Sequence, residues 1–124
     1  MKKLIITCAA LALLSACNGG LKPQLQQQVL SSPSLNDQQL LAEFKDREFS
    51  VNVLSGSRSG RYNFKYNADG TVDIQTAGYN GSKSWSIKNA QLCVKTCHSY
   101  YKDQATGILY GTTNDKITAI LNPK

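Results

Sequence analysis

Two thiols and the chain's one imidazole lie together in Cys93-Val94-Lys95-Thr96-Cys97-His98, a spacing open to three kinds of chemistry. Oxidation would join Cys93 to Cys97. Residues four apart in a straight strand are separated by about 13 Å, whereas a bridge needs Cα atoms within about 7 Å. A disulfide therefore requires the strand from Gln91 to end near Lys95, with Thr96–Tyr100 turning back or coiling. Haem attachment uses Cys-x-x-Cys-His, with two thioethers and a His ligand to iron; here the loop is one residue longer. The surroundings read as β rather than helical, the only Met is Met1, and His98 is the only His, so a familiar second axial ligand is missing. A metal held by two thiolates and His98 is the third possibility. A closed zinc site wants four ligands, and carboxylates would have to complete it. The disulfide is the expected state, and no metal or cofactor is assigned.

Catalysis has little to build on. His98 adjoins the expected bridge, and neither Gly-x-Ser-x-Gly nor His-Glu-x-x-His occurs. Sugar cleavage needs two converging carboxylates, for which Asp69, Asp73, Asp103 and Asp115 are available; Asp69 is already explained by a turn and Asp73 by a solvated strand face. The expectation is a protein that is not an enzyme, with a cell-wall-acting enzyme and a haem-binding protein through Cys93, Cys97 and His98 as alternatives. Binding is the better reading. Arg61, Lys65, Lys88 and Lys95 fall opposite apolar positions and would form a basic stripe for an anionic glycan or lipid, or for an acidic envelope protein. Tyr79, Tyr100 and Tyr101 fall in turn-like regions, where exposed tyrosines make contacts. Nucleic acid is not expected: a net charge of +6 over 124 residues is modest.

The fourth kind of chemistry lies at Cys17. Met1-Lys2-Lys3 is a basic start, Leu4 to Leu14 is apolar and broken only by Thr7, and Leu14-Ser15-Ala16-Cys17 closes the run with small residues. The run is too short to cross a bilayer, which takes about 20 residues, and suits a signal peptide. This pattern resembles the lipobox of bacterial lipoproteins. The resemblance implies a diacylglyceryl thioether on Cys17, cleavage before it, and acylation of the new amino group. One buried chain anchors only marginally, at about 0.8 kcal/mol per CH₂, but two or three anchor firmly. Asn18 stands where the family's inner-membrane retention signal has Asp, so the resemblance also implies the outer membrane. Loss of Lys2 and Lys3 with the signal lowers the net charge from +6 to +4. Cys8 leaves with the signal and Cys17 is consumed by lipid, so Cys93 and Cys97 remain, in a compartment that favours disulfides.

Three segments follow: 1–16 signal peptide, 17–35 lipidated Cys and flexible tether, and 36–124 folded domain. Residues 18–35 are rich in Gly, Pro, Gln and Ser without sustained periodicity. A helix is predicted from about Asn36 to Asp46, capped by Ser34 or Asn36, with Leu40, Leu41 and Phe44 at spacings of three and four. From Glu48 the period becomes two. Phe49, Val51 and Val53 alternate, then Tyr62, Phe64 and Tyr66; Asn67-Ala68-Asp69-Gly70 signals a hairpin before Val72 and Ile74. Gly78-Tyr79-Asn80-Gly81 reads as a further turn, followed by strands around Trp85–Ile87, Leu92–Val94, Ile108–Tyr110 and Lys116–Leu121. The fold expected is mainly β: about seven strands in a small antiparallel meander, barrel or sandwich, with one N-terminal helix over an open end or edge. The order Tyr66-x-x-Asp69-Gly70-Thr71, Trp85-x-Ile87, Leu92-Cys93 and Cys97 is similar to that of small secreted bacterial β domains of unassigned function. Those usually have Gly where this chain has Lys83, and the likeness supports only the β fold.

Overall fold

The computed structural model describes residues 23–124. The expected signal peptide, the expected lipobox Leu14-Ser15-Ala16-Cys17 and the start of the expected tether lie outside the described residues. Nine antiparallel strands form one sheet: β1 Arg47–Val53, β2 Gly60–Tyr66, β3 Thr71–Thr76, β4 Tyr79–Ser84, β5 Ser86–Lys88, β6 Gln91–Val94, β7 Thr96–Lys102, β8 Leu109–Thr113 and β9 Lys116–Pro123. Their spatial order is β4-β3-β2-β1-β9-β8-β7-β6-β5. The two edge strands are consecutive in sequence and separated only by Trp85, so the sheet curls until its edges nearly meet. The result is a nearly closed barrel. Trp85 holds the corner by donating from its backbone N to Gly70 O at 2.9 Å and from Nε1 to Asn67 O at 3.0 Å.

Register puts one set of side chains inside. Residues directly opposite in an antiparallel pair share a face, and the pairs Val51↔Tyr62, Phe49↔Phe64, Phe64↔Ile74, Tyr66↔Val72, Val51↔Leu121 and Tyr100↔Gly111 carry the apolar period around the barrel. One end is plugged by α2, Asp37–Phe44. Asn36 caps it reciprocally: Gln39 N donates to Asn36 Oδ1 at 2.8 Å, and Asn36 N donates to Gln39 Oε1 at 2.9 Å. Asp37 Oδ1 accepts from Ala90 N at 2.7 Å, tying the helix start to the β5–β6 turn. Leu40 and Phe44 are fully buried, and the Phe44 ring centroid lies 4.8 to 5.3 Å from those of Tyr66, Tyr100 and Phe49. Leu41 points to solvent, although its spacing matched the apolar stripe.

Several elements differ from the sequence expectation. The span read as a tether contains α1, Pro23–Leu30, whose Leu25, Gln26, Val29 and Leu30 are half-buried against the outside of the barrel. Gln26 Oε1 accepts from Ile117 N at 2.8 Å, and Tyr110 and Ile117 of the outer face are buried. Leu35 is buried too, and its backbone N donates to Tyr100 O at 2.8 Å, so the folded domain begins before residue 36. A Gln occupying a helical position toward the barrel hid this stripe. Tyr79, Asn80 and Gly81 are not a turn: the chain reverses at Ala77-Gly78, with Gly78 at φ +83°, and β4 starts at Tyr79. Tyr100 and Tyr101 lie in β7 rather than in a turn, and Tyr100 is buried core.

Candidate functional site

The end opposite α2 is open. Its rim is built by the 54–59 loop, the β3–β4 turn, the Lys95 turn and the β8–β9 turn at Asn114-Asp115. Below it lies a cavity of about 600 Å³, within the range of roughly 300–1,000 Å³ usual for small-ligand sites. Val51, Val53, Phe64, Ile74, Leu92, Val94, Ala119 and Leu121 supply its apolar wall, and Tyr66 and Tyr100 its floor. The two tyrosines are 1% and 6% exposed. Burial, and after it the neighbouring Tyr100 phenol, holds the Tyr66 hydroxyl well above the usual phenol range; burial alone raises Tyr100. Both hydroxyls are therefore protonated donors. Among the described residues neither has a hydrogen-bond acceptor, and both border the cavity.

The charged side chains lining the cavity are cationic. Arg58, Lys83 and Lys95 line the cavity together with Ser55, Thr96, His98, Thr113 and Thr118, and no carboxylate lines it. Among the described residues the ion pairs are Lys102–Glu43 at 2.7 Å and Lys124–Glu48 at 3.6 Å, so the three rim cations are not neutralised by salt bridges. Tyr62 OH donates to Arg58 O at 2.6 Å, which fixes the loop that carries Arg58. Lys83 is on the inner face because it pairs with the buried Val72. His98 is held by three neighbours: Nδ1 lies 3.1 Å from both Thr112 O and Thr113 Oγ1, and Nε2 lies 3.1 Å from Thr96 Oγ1. A carbonyl only accepts, so Nδ1 carries a hydrogen.

Cys93 and Cys97 form the expected disulfide, with Cα atoms 4.0 Å apart. They are direct partners across β6 and β7, and the chain reverses at Lys95, φ +71°. This is the strand ending near Lys95 that the spacing demanded. Both sulfurs are consumed by the bridge, so neither is a thioether or thiolate available to haem or metal, and His98 is turned toward threonines. Among the described residues no three His, Cys, Asp or Glu side chains form a metal-binding group.

The expected basic stripe is dispersed. Arg61 and Lys65 share the outer face of β2, but Lys65 stands between Glu48 and Asp73 in the register of its two neighbours. Lys88 ends β5 at the α2 end of the barrel, and only Lys95 reaches the rim. The four aspartates do not converge either. Asp69 and Asp73 lie close together outside β3; Asp69 is held below its ordinary value by the hydroxyl and backbone N–H of Thr71, and Asp73 by Ser82 and Asn67. Asp103 accepts from Ala105 N and Thr106 Oγ1 after β7, while Asp115 sits at the opposite end of the barrel. Arg58 and Lys83 are the site residues that the sequence reading missed. The signal for Lys83 was present: period two counted back from the inward Trp85 places Lys83 and Gly81 inside.

Compared with models of protein families, curated proteins and solved structures, the chain matches none.

Proposed function

We propose that this chain is a lipid-anchored protein of the bacterial outer membrane that works by binding rather than by catalysis, as an accessory component of the envelope. The observation that carries the binding half is the one-ended barrel: a helix seals one mouth, and the other opens into a largely apolar cavity whose charged lining residues, Arg58, Lys83 and Lys95, are unpaired among the described residues. The carboxylates that sugar cleavage would require are spread over the outside and both ends of the fold, which weighs against the cell-wall enzyme. The disulfide weighs against the haem protein. The anchoring half rests on the lipobox and Cys17, through which the bilayer is the first partner. An anionic envelope glycan or lipid, or an acidic protein, is the second.

Intact-mass spectrometry of protein extracted from envelopes tests the anchor. The expected mass begins at Cys17 with acyl chains attached, and Cys17→Ser should leave the protein unprocessed and free of membrane lipid. A Cys17→Ser protein that stays with the membrane and matures normally would sink the anchoring half. The binding half stands or falls on occupancy of the barrel lumen.

A further inference from the structure

The lumen makes three separate demands on a ligand. Its lining carries Arg58, Lys83 and Lys95 and no carboxylate, the nearest rim acid being Asp115 in the β8–β9 turn; that lining calls for an anionic head. Its walls are apolar and its volume is about 600 Å³. A dodecyl chain, with each CH₂ about the size of a water molecule at roughly 30 Å³, fills some 360 Å³, whereas two such chains with a glycerol overfill the space. Tyr66 and Tyr100 line its floor, and their hydroxyls make no hydrogen bond to another described residue; among those residues the one sealed-off polar atom without a partner is Asn63 Oδ1, so the phenols reach open space. Covering them with plain alkyl chain would cost about 1–3 kcal/mol each, so the ligand must bring oxygen to the floor.

The course of α1 says where such a ligand comes from. Gln26, near the start of the helix, bonds to Ile117 at the open end of β9, and Val29 and Ser32 lie beside Lys102 and Asp103 at the other end. The chain therefore passes from the mouth side at Gln26 toward the α2 end, where Leu35 N donates to Tyr100 O. Only residues 18–22 separate Cys17 from Pro23, a reach of about 20 Å when extended. On the anchoring reading, the open mouth lies next to the bilayer.

We propose that the barrel binds a single-chain, oxygenated organic acid of the fatty-acid class taken from the membrane. Its carboxylate meets Arg58, Lys83 and Lys95, its chain runs along the lumen wall, and a hydroxyl or carbonyl oxygen accepts from Tyr66 and Tyr100. This rests on the binding reading above and supplies its ligand class.

The test is photo-cross-linking of the full chain in its own envelopes. The probe is dodecanoic acid carrying a mid-chain diazirine, with labelled residues mapped by peptide mass spectrometry. Label is expected on inward residues of β2, β6, β7 and β9, and Ala119→Phe, which fills the lumen, should abolish it. Dodecanoate should compete about tenfold better than dodecanol, since a charge-assisted contact is worth about one decade in affinity. The Arg58→Gln/Lys83→Gln/Lys95→Gln variant should erase that difference, and Lys45→Gln should not. Among ω-hydroxy acids from octanoate to dodecanoate, the best fit should outcompete its plain counterpart, and Tyr66→Phe with Tyr100→Phe should remove the advantage.

Equal competition by dodecanol overturns the assignment of an acid while leaving the binding reading intact. No advantage for any ω-hydroxy acid overturns the role of the phenols. No lumen label from either the acid probe or its alcohol analogue overturns both this ligand class and the binding reading; the mass at Cys17 scores the anchor independently.

Discussion

Asp73 shows how closely the polar residues of the outer face are occupied. Its carboxylate accepts from Ser82 Oγ at 2.6 Å and Asn67 Nδ2 at 3.1 Å, and these bonds hold its titration below the ordinary value of 3.8. Asp69, through Thr71, and Glu48, first through Asn63 and then Lys124, are lowered in the same way. A carboxylate depressed in the folded state contributes stability that is fully present above its unfolded value and lost as pH falls through the folded one. Stability should therefore be level from neutral pH down to about 5 and decline below about 4. Asp73→Asn should make that decline shallower in urea titrations run across the range; an unchanged slope would remove Asp73 from the account. The sequence placed Asp69 in its turn and Asp73 on the outer face of a strand. It gave no view of Ser82 as a partner, because the turn signal at Gly78-Tyr79-Asn80-Gly81 covers the first half of β4 and hides its pairing with β3.

At the scale of elements, α2 matters through two side chains. Phe44 meets three aromatic rings and Leu40 is fully buried, while Leu41 is 47% exposed. Phe44→Ala should cost about 3–5 kcal/mol, the range for truncating a large core aromatic. Leu41→Ala should change stability by less than about 0.5 kcal/mol, as surface substitutions do. Chemical unfolding of both variants checks the contrast, and comparable losses would mean that the helix packs by a different face. The capping residues and the period of this helix were legible in sequence, as was the tight reversal forced by two cysteines four apart. α1 was not, because its barrel-facing stripe includes Gln26, whose amide oxygen works by accepting from Ile117 N rather than by apolar burial. The start of β4 was missed because Gly78 and Gly81 bracket Tyr79 and Asn80, whereas only Gly78 takes positive φ.

For the molecule as a whole, stability should grade from the middle of the sheet to its edges. β1 and β9 lie at the centre of the strand order and are paired on both sides, while β4 and β5 are edges joined only through Trp85. Amides released by local opening exchange first. Native-state hydrogen exchange should find the amides of β4 and β5 that face the gap the fastest of the strand amides, and those of Val51 and Leu121 among the slowest. Uniform protection across all nine strands would mean that the gap is closed by hydrogen bonds. The β class, the antiparallel meander and a covering helix followed from period-two patterning and turn residues. Closure and the open mouth did not follow, because they depend on how far the sheet curls, and no single strand's sequence carries that. The cationic lining escaped in part for the same reason: Arg58, Lys83 and Lys95 lie far apart in the chain, and although period two puts Lys83 inside, only curvature gathers the three around one cavity.

Trp85 has an optical consequence. It is the chain's single tryptophan. Its ring stands edge-on to Tyr66 with centroids 5.7 Å apart, and Tyr66 in turn forms part of the lumen floor. One indole thus touches both the place where the barrel's edges come together and the wall against which a guest would rest. Its emission is a built-in gauge: filling the lumen and parting the edges both alter the surroundings of one fluorophore, in a protein that needs no label to be watched.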